Sequence, residues 1–130
     1  MIVDASALVA IIQHEPEADR FIDLIAGDKQ PAMSAATYLE AAIVIDGRRD
    51  AEASASVEQL VAALEIEISP FTVEQARMAR EAYRMFGKGS GHPARLNLGD
   101  CFSYALASDR QQPLLFKGKD FRLTDLRAAD

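Results

Sequence analysis

The feature that most restricts this chain is the alternation of very short apolar segments with helical stretches. Met1–Val3 is a short apolar run closed by Asp4, and it reads as a strand. Asp4-Ala5-Ser6 then opens a helical stretch from Ala7 to about Gln13, and Glu15-Pro16 separates this from a second helix that ends near Ala26, before Gly27-Asp28. Pro31-Ala32-Met33 reads as a second strand feeding Ser34, a good N-cap for a helix running to about Asp46. Between Asp50 and Leu64, Val57, Leu60, Val61 and Leu64 recur at helical spacing and form one apolar face. Ile66-Glu67-Ile68 alternates and is bounded by Ser69-Pro70, as a strand would be. Thr72 caps a helix to about Phe86, whose inner face is expected to carry Val73, Ala76, Tyr83 and Phe86. A loop at 88–93, rich in glycine and proline, follows; Asn97 opens a helix to about Arg110, and Pro113–Phe116 is a short buried strand. Strands this short, alternating with helices, predict an α/β sandwich of three layers around a mainly parallel sheet.

At 130 residues the chain suits a single domain, 1–130, with one core. Apolar residues make up 49% and charged residues 26%, which argues against wholesale disorder. The lone cysteine, Cys101, excludes an internal disulfide framework and suits a reducing cytoplasm. No uncharged apolar run approaches the roughly 20 residues of a membrane span. Met1-Ile2-Val3-Asp4 lacks the basic region of a signal peptide, so a cytoplasmic protein is expected. The net charge of −6 discourages indiscriminate binding to phosphate backbones. Two divalent cations would bring it to about −2, so acidity is weak ground for excluding a nucleic-acid substrate.

In open α/β sheets, ligands sit beyond the carboxyl ends of the strands. Asp4 follows the first strand directly and Asp120 follows Leu114–Phe116 shortly. An aspartate in such a place is also an ordinary cap or turn residue. Glu40 is the only charged residue from Pro31 to Ile45. Such a carboxylate is costly if buried without a partner, and unremarked if it faces solvent. Asp100 falls in the first turn of the helix opened by Asn97, where the helix dipole favours a negative charge whether or not it has a further role. As a group the four acids make chemical sense. Carboxylate oxygens are the ligands that Mg²⁺ and Mn²⁺ prefer, and two such ions about 3.5–4 Å apart can activate water and stabilise the leaving oxygen of a phosphodiester. No Cys, His or Lys constellation supports zinc or nucleophilic chemistry.

At these residues the chain resembles the PIN-domain family, and within it the VapC toxins of toxin–antitoxin pairs. Met1-Ile2-Val3-Asp4-Ala5-Ser6 is similar to the family's opening strand and Asp-x-Ser, and Ser34-Ala35-Ala36-Thr37-Tyr38-Leu39-Glu40 to its helical glutamate motif. Leu98-Gly99-Asp100-Cys101 resembles the third motif, and Leu114–Phe116 with Lys117-Gly118-Lys119-Asp120-Phe121 the fourth. The motifs occur in order and span essentially the whole chain. The resemblance implies a PIN fold, a Mg²⁺- or Mn²⁺-dependent endoribonuclease, a homodimer and a VapB-type antitoxin. It assigns the acidic pocket, as metal ligands and catalytic residues, to Asp4, Glu40, Asp100 and Asp120. Many relatives carry Thr or Ser four residues before the last aspartate and a polar residue two before it; Phe116 and Gly118 stand there in this chain. Asp125, after Thr124, is the alternative fourth acid.

Arg77, Arg80 and Arg84 share a helical stripe that continues to Lys88 and Arg95, a guide for an RNA backbone or else a solvated face. Ser6 is placed to hold Asp4, or simply to cap. Asn97 is expected to cap, His14 and His92 to lie on the surface, and Cys101 to be a small buried side chain. Two other functions stand beside the ribonuclease. A catalytically inactive scaffold that binds RNA or a protein partner is disfavoured by retention of all four acids. A receiver-type phosphoacceptor domain lacks its adjacent acidic pair, because Asp4 stands alone.

Overall fold

The computed structural model describes residues 1–130. Its strands are β1 (Ile2–Val3), β2 (Ala32–Ser34), β3 (Glu67–Ser69) and β4 (Leu114–Leu115). They form one sheet in the order β3-β2-β1-β4, with every pairing parallel. The helices are α1 (Ala5–Ile12), α2 (Ala18–Ala26), α3 (Ala35–Asp46), α4 (Ala51–Ala63), α5 (Val73–Phe86) and α6 (Leu98–Arg110). A short 3-10 turn, Asp120–Leu123, follows β4.

Alternation of side chains along the strands builds the two cores. Val3, Met33 and Leu115 face the apolar sides of α1, α2 and α4, whereas Ile2, Ala32 and Leu114 face α5 and α6. The parallel register Ile2↔Leu114 and Val3↔Leu115 keeps these sets in phase. A one-residue slip would exchange the faces of every strand residue. Ile2, Leu8, Ile25, Met33, Leu106 and Leu114 are wholly buried, each a side chain whose burial stabilises by about 1.5–3 kcal/mol. This is the expected three-layer sandwich. No helix is long and apolar enough to cross a membrane.

Several local expectations are corrected. Helix α1 starts at Ala5 rather than Ala7, because Asp4 is itself the N-cap and accepts from the Ser6 amide. Strand β3 lies one residue later than expected; Glu65 takes a left-handed φ of 51° to end α4, and Ile66 is buried before pairing begins. The buried face of α5 is Gln75, Ala79 and Ala82, while Val73 is 67% and Tyr83 47% exposed. The Gln75 side-chain NH₂ donates to Asp109 at 3.0 Å, which offsets part of the cost of its burial, while its Oε1 is buried without a partner. Helix α3, apolar nearly throughout, buries only Thr37, Ala41 and Ile45 and leaves Leu39, Ile43 and Val44 exposed.

Candidate acidic site

Three of the four acids are carried by elements that leave the carboxyl ends of adjacent parallel strands. Asp4 sits at the β1–α1 junction, and Glu40 lies on α3, which follows β2 without a loop. Asp120 opens the 3-10 turn after β4. Asp100 arrives from the other face, in the first turn of α6.

Asp4 is the fixed member. It is 4% exposed, and its Oδ2 accepts from the Ser6 amide at 3.0 Å and from the Ser6 hydroxyl at 2.6 Å. Its Oδ1 accepts from the Ser103 hydroxyl at 2.5 Å. Thr37 Oγ1 lies 3.2 Å from Ser103 Oγ, so with the Ser103 proton committed to Asp4 it is the threonine that donates. Asp4, α6 and α3 are thereby linked through two buried hydroxyls. Ser6 holds Asp4, as one of its two expected roles requires, and does not cap, because Asp4 is the N-cap of α1. It also does something unforeseen: its oxygen accepts from the Lys117 amide at 3.0 Å. The Lys117 ammonium in turn pairs with Glu15 and Glu17. The loop leading to Asp120 is therefore anchored at Ser6, without help from the apolar Phe116. Phe116 instead packs on Phe121, with ring centroids 5.1 Å apart, and Gly118 supplies the left-handed φ of 102° that turns the chain toward Asp120.

Glu40 and Asp100 carry the electrostatic strain. Burial raises the Glu40 carboxyl to about 7, reinforced by the charges of Asp4 and then Asp100, and no hydrogen-bond donor or cation offsets them. Burial likewise raises Asp100 to about 6, aided by Asp4 and Asp120 and opposed by the Asn97 amide. That amide donates to Asp100 Oδ2 at 2.9 Å while the Asp100 amide donates to Asn97 Oδ1 at 2.9 Å, a reciprocal capping box. Asn97 caps as expected. The four acids are thus electrostatic neighbours, with Asp120 reached through Asp100. No three His, Cys, Asp or Glu side chains are gathered into a ready-made metal cluster. Asp125 is drawn elsewhere: its Oδ1 accepts from the Tyr104 hydroxyl at 2.8 Å.

Gly99, Ser103 and Thr37 were not singled out from the sequence. A Cβ at Gly99 would overlap Oε2 and Cδ of Glu40 and stand 2.7 Å from Oε1, so the carboxylate occupies the space a side chain would need. Thr37 and Ser103 each lie three residues from an acid, on the same helical face as Glu40 and Asp100 respectively. That spacing was the available signal.

The basic stripe is thinner than its sequence implies. Arg77 pairs with Glu74 and Arg84 with Glu81, whereas Arg80, Lys88 and Arg95 have no carboxylate partner. The glycine-rich loop is pinned at its base by the Gly87–Leu96 bridge and by the Tyr83 hydroxyl donating to Lys88 O at 3.1 Å. His14 is exposed, as expected. His92 is not free on the surface: its Nδ1 accepts from the Ala94 amide at 3.1 Å and its ring meets Phe86 edge-on. Cys101 is buried, and burial with the Asp100 charge pushes its thiol up to about 11, away from reactivity.

Comparison with known proteins bears on the family and the fold. The family model described as "PIN domain" matches residues 1–126. Ribonuclease VapC28 of Mycobacterium tuberculosis is 50% identical over 129 residues, covering 99% of this chain and 97% of that one. Among solved structures, the sarcin-ricin loop cleaving toxin VapC20 of Mycobacterium tuberculosis superposes with a TM-score of 0.76 at 16% identity, covering 96% of this chain and 95% of that one. A toxin–antitoxin complex from Klebsiella pneumoniae superposes with a TM-score of 0.69 at 18% identity, covering 92% and 88%. The latter two carry the fold, and the 50% identity carries the family. This chain belongs to the PIN-domain family, among the VapC-type toxins of toxin–antitoxin pairs.

Proposed function

We propose that this chain, as a single domain over residues 1–130, is a Mg²⁺- or Mn²⁺-dependent endoribonuclease toxin neutralised by a small VapB-type antitoxin. The observation that carries the reading is the set of acids at the carboxyl end of the sheet: Glu40 and Asp100 are held beside buried Asp4 with no protein cation to balance them. The kinship with a protein named as a VapC ribonuclease adds RNA as the substrate. An all-carboxylate donor set fits a hard divalent cation, and the absence of side chain at Gly99 leaves Glu40 room to join it. Asp4, Glu40, Asp100 and Asp120 are the residues that would hold the cation, and Glu40 and Asp100 would do so in their deprotonated forms. When bound, the ion supplies Lewis acidity for phosphodiester hydrolysis. Ser6 and Ser103 fix the orientation of Asp4, and the Asn97 amide that of Asp100. The unpaired Arg80, Lys88 and Arg95 offer charge to the RNA backbone.

The same acids explain how an antitoxin would silence the protein. A partner arginine entering the pocket would replace metal charge, and its planar fork suits bidentate pairing with carboxylates. A homodimer is the proposed assembly, its contact drawn from the exposed Leu39 and Ile43 of α3, at 57% and 60% exposure. The cytoplasm, where RNA is at hand and Cys101 stays reduced, is the proposed compartment. The reading is tested by incubating purified protein with a total RNA pool and mapping the ends produced. Discrete cleavage should stop on exhaustive chelation and return with Mn²⁺. Cleavage undiminished by chelation would remove the metal mechanism, and intact RNA at saturating Mn²⁺ would favour an inactive scaffold.

A further inference from the structure

Glycine in a helix is less favourable than alanine, because its backbone has more freedom to lose. Gly99 stands in the first turn of α6, is buried, and has no left-handed φ that would demand glycine. What glycine provides at this position is therefore space. The missing side chain's place is filled by the Glu40 carboxylate, which crosses from α3 and lies against the α6 backbone. Glu40 is the far end of a flexible side chain, so an added methyl at position 99 would displace the carboxylate before it moved either helix. It would leave Asp100 in its capping box, since that box is made by Asn97 and Asp100 alone.

We propose that Gly99 is a positioning residue for the acidic site: its bare α-carbon is the cradle that lets Glu40 reach Asp4 and Asp100. The inference rests on the metal-site reading given above for its consequence, but on packing alone for its geometry. Two linked measurements test it. In Mn²⁺ calorimetry, Gly99→Ala should weaken binding by about tenfold or more in the parent protein, and by less than about twofold in a Glu40→Ala background, because the displaced group is then already gone. Denaturant unfolding of the four metal-free proteins gives the second reading. With Glu40 truncated, Gly99→Ala should raise the unfolding midpoint, as expected of alanine in a helix. With Glu40 present the gain should be smaller or reversed. Equal Mn²⁺ losses in both backgrounds, or Mn²⁺ binding by Gly99→Ala equal to the parent's, would overturn the inference. Parent protein that binds no Mn²⁺ would defeat the metal-site reading instead, and the unfolding cycle would then decide the cradle by itself: additive midpoints reject it, and coupled midpoints sustain it.

Discussion

Asp100→Asn is expected to slow RNA cleavage at saturating Mn²⁺ by at least about 100-fold while the fold persists. The substitution removes a charge at nearly constant volume. An asparagine oxygen still accepts from the Asn97 amide, so the start of α6 keeps its cap. Ionised Asp100 is disfavoured in the folded protein, as its carboxyl raised to about 6 records, so the metal-free variant should melt at or above the parent temperature. Asp4→Asn should lose activity comparably. Its carboxamide can keep its oxygen toward the Ser6 amide and turn its NH₂ toward Ser103, whose hydroxyl can reverse to accept. Cleavage rates and melting curves of parent and variants provide the check, and equal rates at saturating metal would strike that residue from the ligands.

Glu40→Gln should change how the protein responds to pH as well as to metal. In the folded chain Glu40 holds its proton to about pH 7, whereas an unfolded glutamate releases it near 4.5. Between those values folding takes up a proton, so the Glu40 contribution to metal-free stability falls as pH rises through this window. Parent protein should lose melting temperature between pH 5 and pH 8 by more than Glu40→Gln does. Metal binding runs the other way. Below about pH 7 a cation must displace the Glu40 proton, so Mn²⁺ affinity and cleavage should climb with pH until the site is ionised. Glu40→Gln should bind Mn²⁺ about tenfold or more weakly, with a shallower climb. Identical isotherms and identical pH slopes would place Glu40 outside the site.

Much of this arrangement is legible in the sequence because it follows from local rules. Apolar runs as short as Met1–Val3 and Pro113–Phe116, separated by capped helices, leave few alternatives to a small parallel sheet. Ser34, Thr72 and Asn97 mark helix starts because each side chain accepts from an amide of its own first turn. Asp4 and Asp120 stand out as charges at strand ends and Glu40 as a charge alone on an apolar stretch, whereas Asp100 is marked by its first-turn position and by the family resemblance. What escaped depends on packing between distant segments. Ser103 binds Asp4 across 99 residues of sequence, and no local pattern announces that pairing. Gly99 looks like an ordinary residue beside Asp100 until Glu40 is found in its missing side chain's place. The α5 face departs from its hydrophobic pattern because Gln75 is buried against Asp109 while Val73 and Tyr83 are left outside, an inversion that hydrophobicity alone cannot reveal.

The most direct test of the acidic site is anomalous diffraction from crystals grown or soaked with Mn²⁺ at about pH 8 or above, a unit beyond the raised value of Glu40 and further beyond that of Asp100. The expected result is a strong manganese peak bounded by Asp4, Glu40 and Asp100, with Asp120 reaching it directly or through water. A saturating soak that leaves this pocket without manganese, or that places the metal elsewhere on the protein, would contradict the assignment.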